Sequence, residues 1–461
     1  MFSAATYQQR RTKLKQQVGS GIILLLGNND VGMNYKGNTY HYRQDSNFLY
    51  FFGISQPGLA GMIDIDNGRE IIYGDELTME DIVWMGSKPT LVDRAAKVGI
   101  ENTFPFKDMI DYVKNAAKEK RPIHYTPPYR HDNMILLTEM TGIKQGQLQK
   151  KSSVDLVKAI VAQRSYKSAE EIVEMENAVN ITGAMHIAVM RATAAGKRES
   201  ELAAIAQGIA TGMGNGTSYP IILSKNGQVL HNHEHSNILQ GGQLVLGDFG
   251  AENRNFYAGD ITRTTPVSKK FTQRQKDIYN LVLKAEVDCI NMCEPGTTYQ
   301  EVHLEAARIM ANGLKDLGLM KGDIDEAVDQ GAHALFFPHG LGHMIGLDVH
   351  DMEDLGEDYV GYNDKVKRSN LFGTAYLRLG RELEPGFVLT VEPGIYFIPE
   401  LAALWEAEKK FIDFINYEEI DKWMGFGGVR IEDNVLITEE GRRILGNPIP
   451  KTVEEVEALR G

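Results

Sequence analysis

The chain has 461 residues and an ordinary globular composition, with 49 Lys+Arg against 62 Asp+Glu and a net charge of −13. That length implies two or more domains with ample core, and the acidic balance speaks against nucleic acid and anionic membrane as partners. The longest apolar run, 22–26, is far too short to span a bilayer and the first residues carry no apolar signal core, so no membrane partner and a cytoplasmic protein are expected.

In chain order, the pattern predicts a helix over 6–17 and a buried strand over 22–26 that ends in the turn 27–30. Residues 42–53 are dense in aromatics, which suits core. Arg43 and Asp45 inside that stretch suggest a buried ion pair or an interface, and the aromatic run 48–52 is a candidate for contact with a second copy. Strands 61–66 and 70–73 flank Asn67-Gly68, a strong hairpin signal. Helical segments follow at 78–84, 91–98 and 107–118, then a short strand at 122–125 and an apolar-periodic helix at 152–163. The basic cluster 118–121 reads as a solvated helix end. Alternating strands and helices make an α/β domain of some 165 residues. It carries no phosphate loop and no nucleotide fingerprint.

Ser168 and Glu171 form a capping box opening a helix to about 194, and the domain boundary is placed there, giving domains 1–167 and 168–461. A second helix runs from 200 to about 211. Strands are then expected at 221–223 and 228–230, paired across 225–227, and a further hairpin runs from 243–248 to 267. Thr272 and Gln275 cap a helix to about 293, and another spans 298–317. Cys289 and Cys293, four apart on a predicted helix, lack the partners of a metal or redox site and are expected to be reduced and structural. Strand-like stretches at 386–392 and 428–437 bracket a charged helical insert at 401–423. Helices, hairpin, helices, hairpin describes two similar halves. The expected architecture is α+β, a curved antiparallel sheet backed by helices.

Residues 336–350, Phe-Phe-Pro-His-Gly-Leu-Gly-His-Met-Ile-Gly-Leu-Asp-Val-His, place His339, His343 and His350 in one stretch. Its glycines and Pro338 argue for loop and strand rather than helix. Asp248, Asp260, Glu392 and Glu432 each sit at a predicted strand end beside turn residues. Buried carboxylates brought together repel unless a cation lies between them. Four carboxylates and one imidazole suit two divalent metals about 3.5–4 Å apart, which lower the pKa of a bridging water toward neutrality. Oxygen-rich ligation favours Mn2+, with Co2+, Zn2+ or Fe2+ as alternatives.

Four stretches then carry a resemblance: Asp-Phe-Gly with Ala-Gly-Asp-Ile-Thr-Arg-Thr, the histidine stretch, Leu-Glu-Pro-Gly-Phe-Val-Leu-Thr-Val-Glu-Pro-Gly-Ile-Tyr, and Gly-Gly-Val-Arg-Ile-Glu-Asp. In that order and spacing, 168–461 resembles the pita-bread metallopeptidases, specifically the Xaa-Pro aminopeptidase (aminopeptidase P) and Xaa-Pro dipeptidase (prolidase) group. Tyr7-Gln-Gln-Arg-Arg, Tyr42-Arg-Gln-Asp-Ser-Asn-Phe and Gly53 extend the likeness to the family's N-terminal domain. The resemblance implies Asp248, Asp260, His343, Glu392 and Glu432 as ligands of two metals, with Asp260 and Glu432 bridging and Glu392 also shuttling a proton. It implies His231, His339 and His350 at the substrate, Arg430 paired with site carboxylates, and a homodimer or homotetramer. His231, His233 and His235 alternate and on a strand would share one face.

The implied activity is hydrolysis of the bond between an N-terminal residue and a following proline in peptide substrates. Prolidase activity, the same cut on dipeptides alone, is the first alternative, and a non-catalytic binding protein on the same fold a remote one. A dipeptidase needs a cation for the substrate's C-terminal carboxylate, and the sequence does not show which arginine reaches the pocket. Asp248 and Asp260 lie twelve residues apart, one more than the resemblance leads one to expect, which a bulge or longer turn at 252–255 would absorb.

Overall fold

A computed structural model describes residues 2–460. The chain divides into two compact units, Met1–Arg164 with Asp354–Tyr359, and Ser165–Glu353 with Val360–Gly461.

The N-terminal unit is built on a five-stranded sheet. Its order is Asn102–Phe104, Arg69–Tyr73, Ala60–Asp64, Ile22–Leu26, Ile123–His124. The three central strands are antiparallel and both edge strands pair in parallel, so the domain is mixed rather than uniformly parallel. The Asn67-Gly68 hairpin forms as expected: Gly68 takes φ 65° and Asp64 accepts from the Asn67 backbone N–H at 3.1 Å. One sheet face buries Ile22, Leu24, Met62 and Ile71 against Met109, Val113 and Leu137 of two helices.

Two expectations for this unit are corrected. The aromatic run 48–52 offers no surface to a second copy. It lies in the helix Ser46–Phe52, every residue of which is buried, and Asp45 caps that helix by accepting from the Phe48 N–H at 2.8 Å. The 118–121 cluster is not merely a solvated helix end either: Arg121 Nη2 reaches Asp64 Oδ1 at 2.6 Å and Asp66 Oδ2 at 2.9 Å.

In the C-terminal unit the sequence repeats one plan. The helices Ala169–Ala192 and Glu199–Met213 back the strands Ile222–Ser224, Leu244–Asp248 and Thr262–Pro266. Next come Gln273–Met292 and Tyr299–Asp316, then strands Val388–Val391, Asp433–Thr438 and Gly441–Ile444, with a separate pair of Gly394–Tyr396 and Gly428–Arg430. Capping boxes at Ser168/Glu171, Thr272/Gln275 and Thr298/Glu301 start three of the helices. The insert forms helices Pro399–Ala407 and Tyr417–Asp421. Both cysteines are buried and free.

Side chains stitch the halves together. Thr264 Oγ1 donates to the Arg430 carbonyl at 3.0 Å, and the Asn434 amide accepts from the Asp260 N–H at 3.1 Å while donating to the Asp260 carbonyl at 2.6 Å. Edge backbone groups that have no strand partner are thereby satisfied.

The hairpin expected between 221–223 and 228–230 does not form. Ile222–Ser224 pairs with Leu246–Asp248 instead. Beyond Ser224 the backbone is captured by side chains: Glu199, on a preceding helix, accepts from the Lys225 N–H at 2.8 Å and Ser224 Oγ from the Asn226 N–H at 3.0 Å. These bonds outcompete a ladder.

Candidate active site

Breaks in the strands aim the carboxylates. The Leu244–Asp248 and Thr262–Pro266 strands are antiparallel, with Asp248 opposite Thr262, so Asp248 ends one strand just as Asp260 leads into the other. The residues between them are taken up by a turn. Glu252 bridges Ala258, Asn253 Oδ1 accepts from the Asn255 and Tyr257 N–H groups at 3.0 Å, and Phe256 adopts φ 70°. The longer spacing therefore leaves both aspartates at one point. In the other half, Glu392 follows Val388–Val391 and Glu432 interrupts the expected 428–437 strand between Gly428–Arg430 and Asp433–Thr438. Each glutamate sits where one two-strand ladder gives way to the next.

The histidine stretch runs as an irregular strand beside Val388–Val391. Thr390 N–H donates to the His343 carbonyl at 3.0 Å, Ile345 N–H to the Val388 carbonyl at 3.1 Å, and Glu392 N–H to the Leu341 carbonyl at 2.8 Å. Gly342 permits this: a Cβ there would lie 2.1 Å from the Thr390 carbonyl oxygen.

The structure brings Asp260, His343 and Glu432 together, all buried, each offering one atom with the set within 4.8 Å. His343 Nε2 lies 3.4 Å from Asp260 Oδ2 and 3.6 Å from Glu392 Oε1. Asp248 joins through Tyr219, whose hydroxyl contacts Asp248 Oδ1 at 2.6 Å and also Asp260 Oδ1. A cation fits this set. Glu432 Oε2 accepts from Thr262 Oγ1 at 2.7 Å, but its Oε1 is buried with no hydrogen-bond partner. An unpartnered carboxylate oxygen among three further carboxylates is costly unless positive charge completes it.

Electrostatics express the same crowding. Burial pushes Glu392 up to about 7 and Glu432 well above the ordinary range, and burial also raises Asp248. For Asp260 burial is the largest influence and acts upward, but hydrogen bonds from His343 and Tyr219 together with the charge of His343 and His350 outweigh it and lower the carboxyl. Burial pulls His343 down, and Asp260 and Glu392 more than reverse it.

Arg430 is buried and fully engaged. It pairs with Asp248 Oδ2, donates to Tyr396 Oη at 2.7 Å and to Thr262 Oγ1 at 3.2 Å. The Tyr396 hydroxyl lies 2.8 Å from His339 Nε2, and His339 Nδ1 is 2.8 Å from the Gly340 carbonyl. A carbonyl can only accept, so Nδ1 carries the proton and Nε2 accepts from Tyr396. Burial, with Arg430 nearby, holds His339 neutral, down at about 3. His350 stacks edge-on to His343 with centroids 4.3 Å apart and turns Nδ1 to Glu353 at 2.7 Å. Burial, then His343, pulls it down to about 4.

The four carboxylates, His339, His343, His350 and Arg430 line a cavity of about 490 Å3 that also includes Tyr219, His231, His233, Tyr376 and Arg378. His231 thus lies at the cavity, its pKa lowered by burial, but no strand aligns His231, His233 and His235 on a common face, and His235 is not in the lining. Sequence reasoning missed Tyr219, Thr262, Tyr396, Glu353 and Arg378. Thr262 and Tyr396 had a signal, since each lies in a stretch bearing a site carboxylate, whereas Tyr219 lies 29 residues before Asp248 and had none. Glu353 and Arg378 had none either, because loop geometry alone brings Arg378 to the cavity and Glu353 to Arg378 and His350.

Residues 173–439 match metallopeptidase family M24, and residues 7–124 match the N-terminal domain of aminopeptidase P. The Xaa-Pro dipeptidase of Homo sapiens is 31% identical over 97% of this chain and 90% of its own length. The Xaa-Pro aminopeptidase of Escherichia coli is also 31% identical, over 99% of this chain and 98% of its own. Among solved structures, E. coli aminopeptidase P with the inhibitor Pro-Leu superposes with a TM-score of 0.81 at 30% identity, covering 100% of this chain and 98% of that one. The chain belongs to metallopeptidase family M24, within its Xaa-Pro aminopeptidase and Xaa-Pro dipeptidase group.

Proposed function

We propose that this metal-dependent hydrolase is a Xaa-Pro aminopeptidase, releasing the first residue of peptides whose second residue is proline. The observation that carries the reading is the convergence of Asp260, His343 and Glu432, with Glu432 Oε1 left unpartnered, in the lining of a cavity of about 490 Å3. The E. coli relative is a Xaa-Pro aminopeptidase over nearly the full length of both chains.

Asp248, Asp260, His343, Glu392 and Glu432 would hold two divalent ions, for which the oxygen-rich set favours Mn2+ over Co2+, Zn2+ or Fe2+. When bound, such ions supply a nucleophile from water at neutral pH and positive charge opposite the scissile carbonyl. Glu392 lies beside His343, where its carboxylate would take a proton from the attacking water and hand it to the leaving prolyl nitrogen. That nitrogen carries no hydrogen in the substrate, so an ordinary aminopeptidase site built to accept from an N–H gains nothing from it. His339 is fixed by Gly340 and Tyr396, and His350 by Glu353, so both present rigid faces to the substrate with His231 at the rim. Arg430 offsets the negative charge of Asp248 and orients Tyr396.

Prolidase is the second reading, favoured by one observation: Arg378 lines the cavity and can hold a dipeptide's carboxylate. Comparing a Xaa-Pro dipeptide with a Xaa-Pro-Yaa tripeptide, with Mn2+ and then with chelator, decides between them. Cleavage of the tripeptide, lost with chelator, supports the aminopeptidase, and cleavage of the dipeptide alone overturns it.

The domain boundary is placed at 167/168, supported by the division between Arg164 and Ser165. No helix of the described residues is long and apolar enough to cross a membrane. We infer that the enzyme is cytoplasmic, from the lack of an apolar signal core in its first residues, and a homodimer or homotetramer, as the resemblance implies.

A further inference from the structure

We propose that Glu353 is a specificity-determining residue that biases the site against dipeptides and toward longer peptides, by compensating the one cavity cation a free substrate carboxylate would seek. The inference rests on the peptidase reading above and refines its substrate class.

Two cations appear in the cavity lining, Arg378 and Arg430. Arg430 is buried and committed to Asp248, Tyr396 and Thr262, so it cannot turn to a ligand without leaving Asp248 uncompensated. Arg378 is part-exposed, and its Nη2 lies 3.0 Å from Glu353 Oε1. The other oxygen of the same carboxylate, Oε2, takes the Nδ1 of His350 at 2.7 Å. Hydrogen bonding from His350 holds the Glu353 carboxyl down at about 2, so its charge is present throughout the neutral range.

A dipeptide carries its carboxylate on the proline itself. Docked at Arg378, that carboxylate would lie against Glu353 and meet like charge. A longer peptide presents a neutral amide at the same place and incurs no such repulsion. Specificity by an opposed charge is a common form of discrimination. Glu353 also orients His350, and that role acts on every substrate alike, so the two effects separate experimentally.

The experiment uses the full-length, metal-loaded enzyme. It measures kcat and KM for a Xaa-Pro dipeptide, its C-terminal amide and the matching Xaa-Pro-Yaa tripeptide. For E353Q the acid-to-amide ratio of kcat/KM should rise about fivefold, chiefly through KM for the acid, the scale of one removed charge repulsion at a part-exposed site. E353D keeps the charge and should keep the wild-type ratio. An acid-to-amide ratio unchanged within about twofold in E353Q, or an equal loss on all three substrates, overturns the proposal and leaves Glu353 a positioning residue for His350 alone. E353A gives the same ratio should the glutamine variant not fold. Wild-type enzyme inactive on all three substrates would instead overturn the peptidase reading, and a wild type already preferring the acid over the amide would overturn this inference while keeping that reading.

Discussion

His343 presents Nε2 to Asp260 Oδ2 at 3.4 Å while its Nδ1 faces the Met344 carbonyl at 3.0 Å. The carbonyl can only accept, so Nδ1 carries a proton, which leaves Nε2, the nitrogen facing the carboxylates, as the one that would bind a metal. H343A and D260N should each lower kcat/KM by more than about 100-fold, beyond the usual cost of an outer partner of a metal site. Metal content per chain should fall in parallel. Full metal occupancy in either variant would count against these residues as ligands.

Gly250 lies two residues beyond Asp248, where a Cβ would come 1.7 Å from the Gly259 carbonyl oxygen. Backbone cannot yield as a flexible side chain can, so G250A must spread the arms that carry Asp248 and Asp260. Overpacking of this kind costs about 1–3 kcal/mol. Urea unfolding should show that loss, and metal binding should weaken. Wild-type affinity with unchanged stability would mean that the two arms are free to separate.

Arg430→Lys keeps the charge but not the fork that serves Asp248, Tyr396 and Thr262 together. Activity should fall about 10–100-fold, as for other partners that orient metal-site groups. Arg430→Met should in addition destabilise the fold by about 3–5 kcal/mol, because Asp248 is left buried and uncompensated. Equal stability of the two variants, measured by denaturant unfolding, would contradict this.

In the N-terminal unit, burial pushes the Asp64 carboxyl up, but hydrogen bonds from Arg121, Tyr112 and Asn67 outweigh it and hold it well below the usual carboxylate range. A carboxyl with a depressed folded pKa stabilises the fold at pH above its unfolded value, and that contribution is lost as pH falls through the depressed one. Unfolding followed from pH 6 downward should therefore show a steeper acid loss in wild type than in D64N. Parallel curves would rule out the Asp64–Arg121 pair as a source of the acid limb.

Burial pushes the Cys289 thiol well up and Cys293 to about 12. Neither should react with a thiol reagent at neutral pH until the protein unfolds, because the thiolate is the nucleophile. Rapid labelling of the native enzyme would show that the Gln273–Met292 helix opens locally.

Local signals settled much of this protein. Capping boxes at Ser168 and Thr272, the Asn67-Gly68 turn and the apolar run 22–26 each form the element they suggest, because their hydrogen bonds close within a few residues. The positions of Asp248, Asp260, His343, Glu392 and Glu432 were legible for a related reason: each lies beside glycine, proline or another turn former at a strand end. Where the pairing partner was distant, the pattern misled. Ile222–Ser224 reads as half of a local hairpin, yet Glu199, far back on a preceding helix, takes the Lys225 N–H and frees the strand to pair with Leu246–Asp248.

By itself the sequence determined most of the elements and the acidic character, since these depend on composition, period and spacing along the chain, and its family resemblance supplied the five candidate metal ligands. Only the tertiary structure decided how the charges are shared. It set Arg430 between Asp248 and Tyr396, left Glu432 Oε1 unpartnered, and joined Arg378 to Glu353 at the cavity. Those outcomes depend on burial and on distances between residues tens to hundreds of positions apart, which no local pattern encodes.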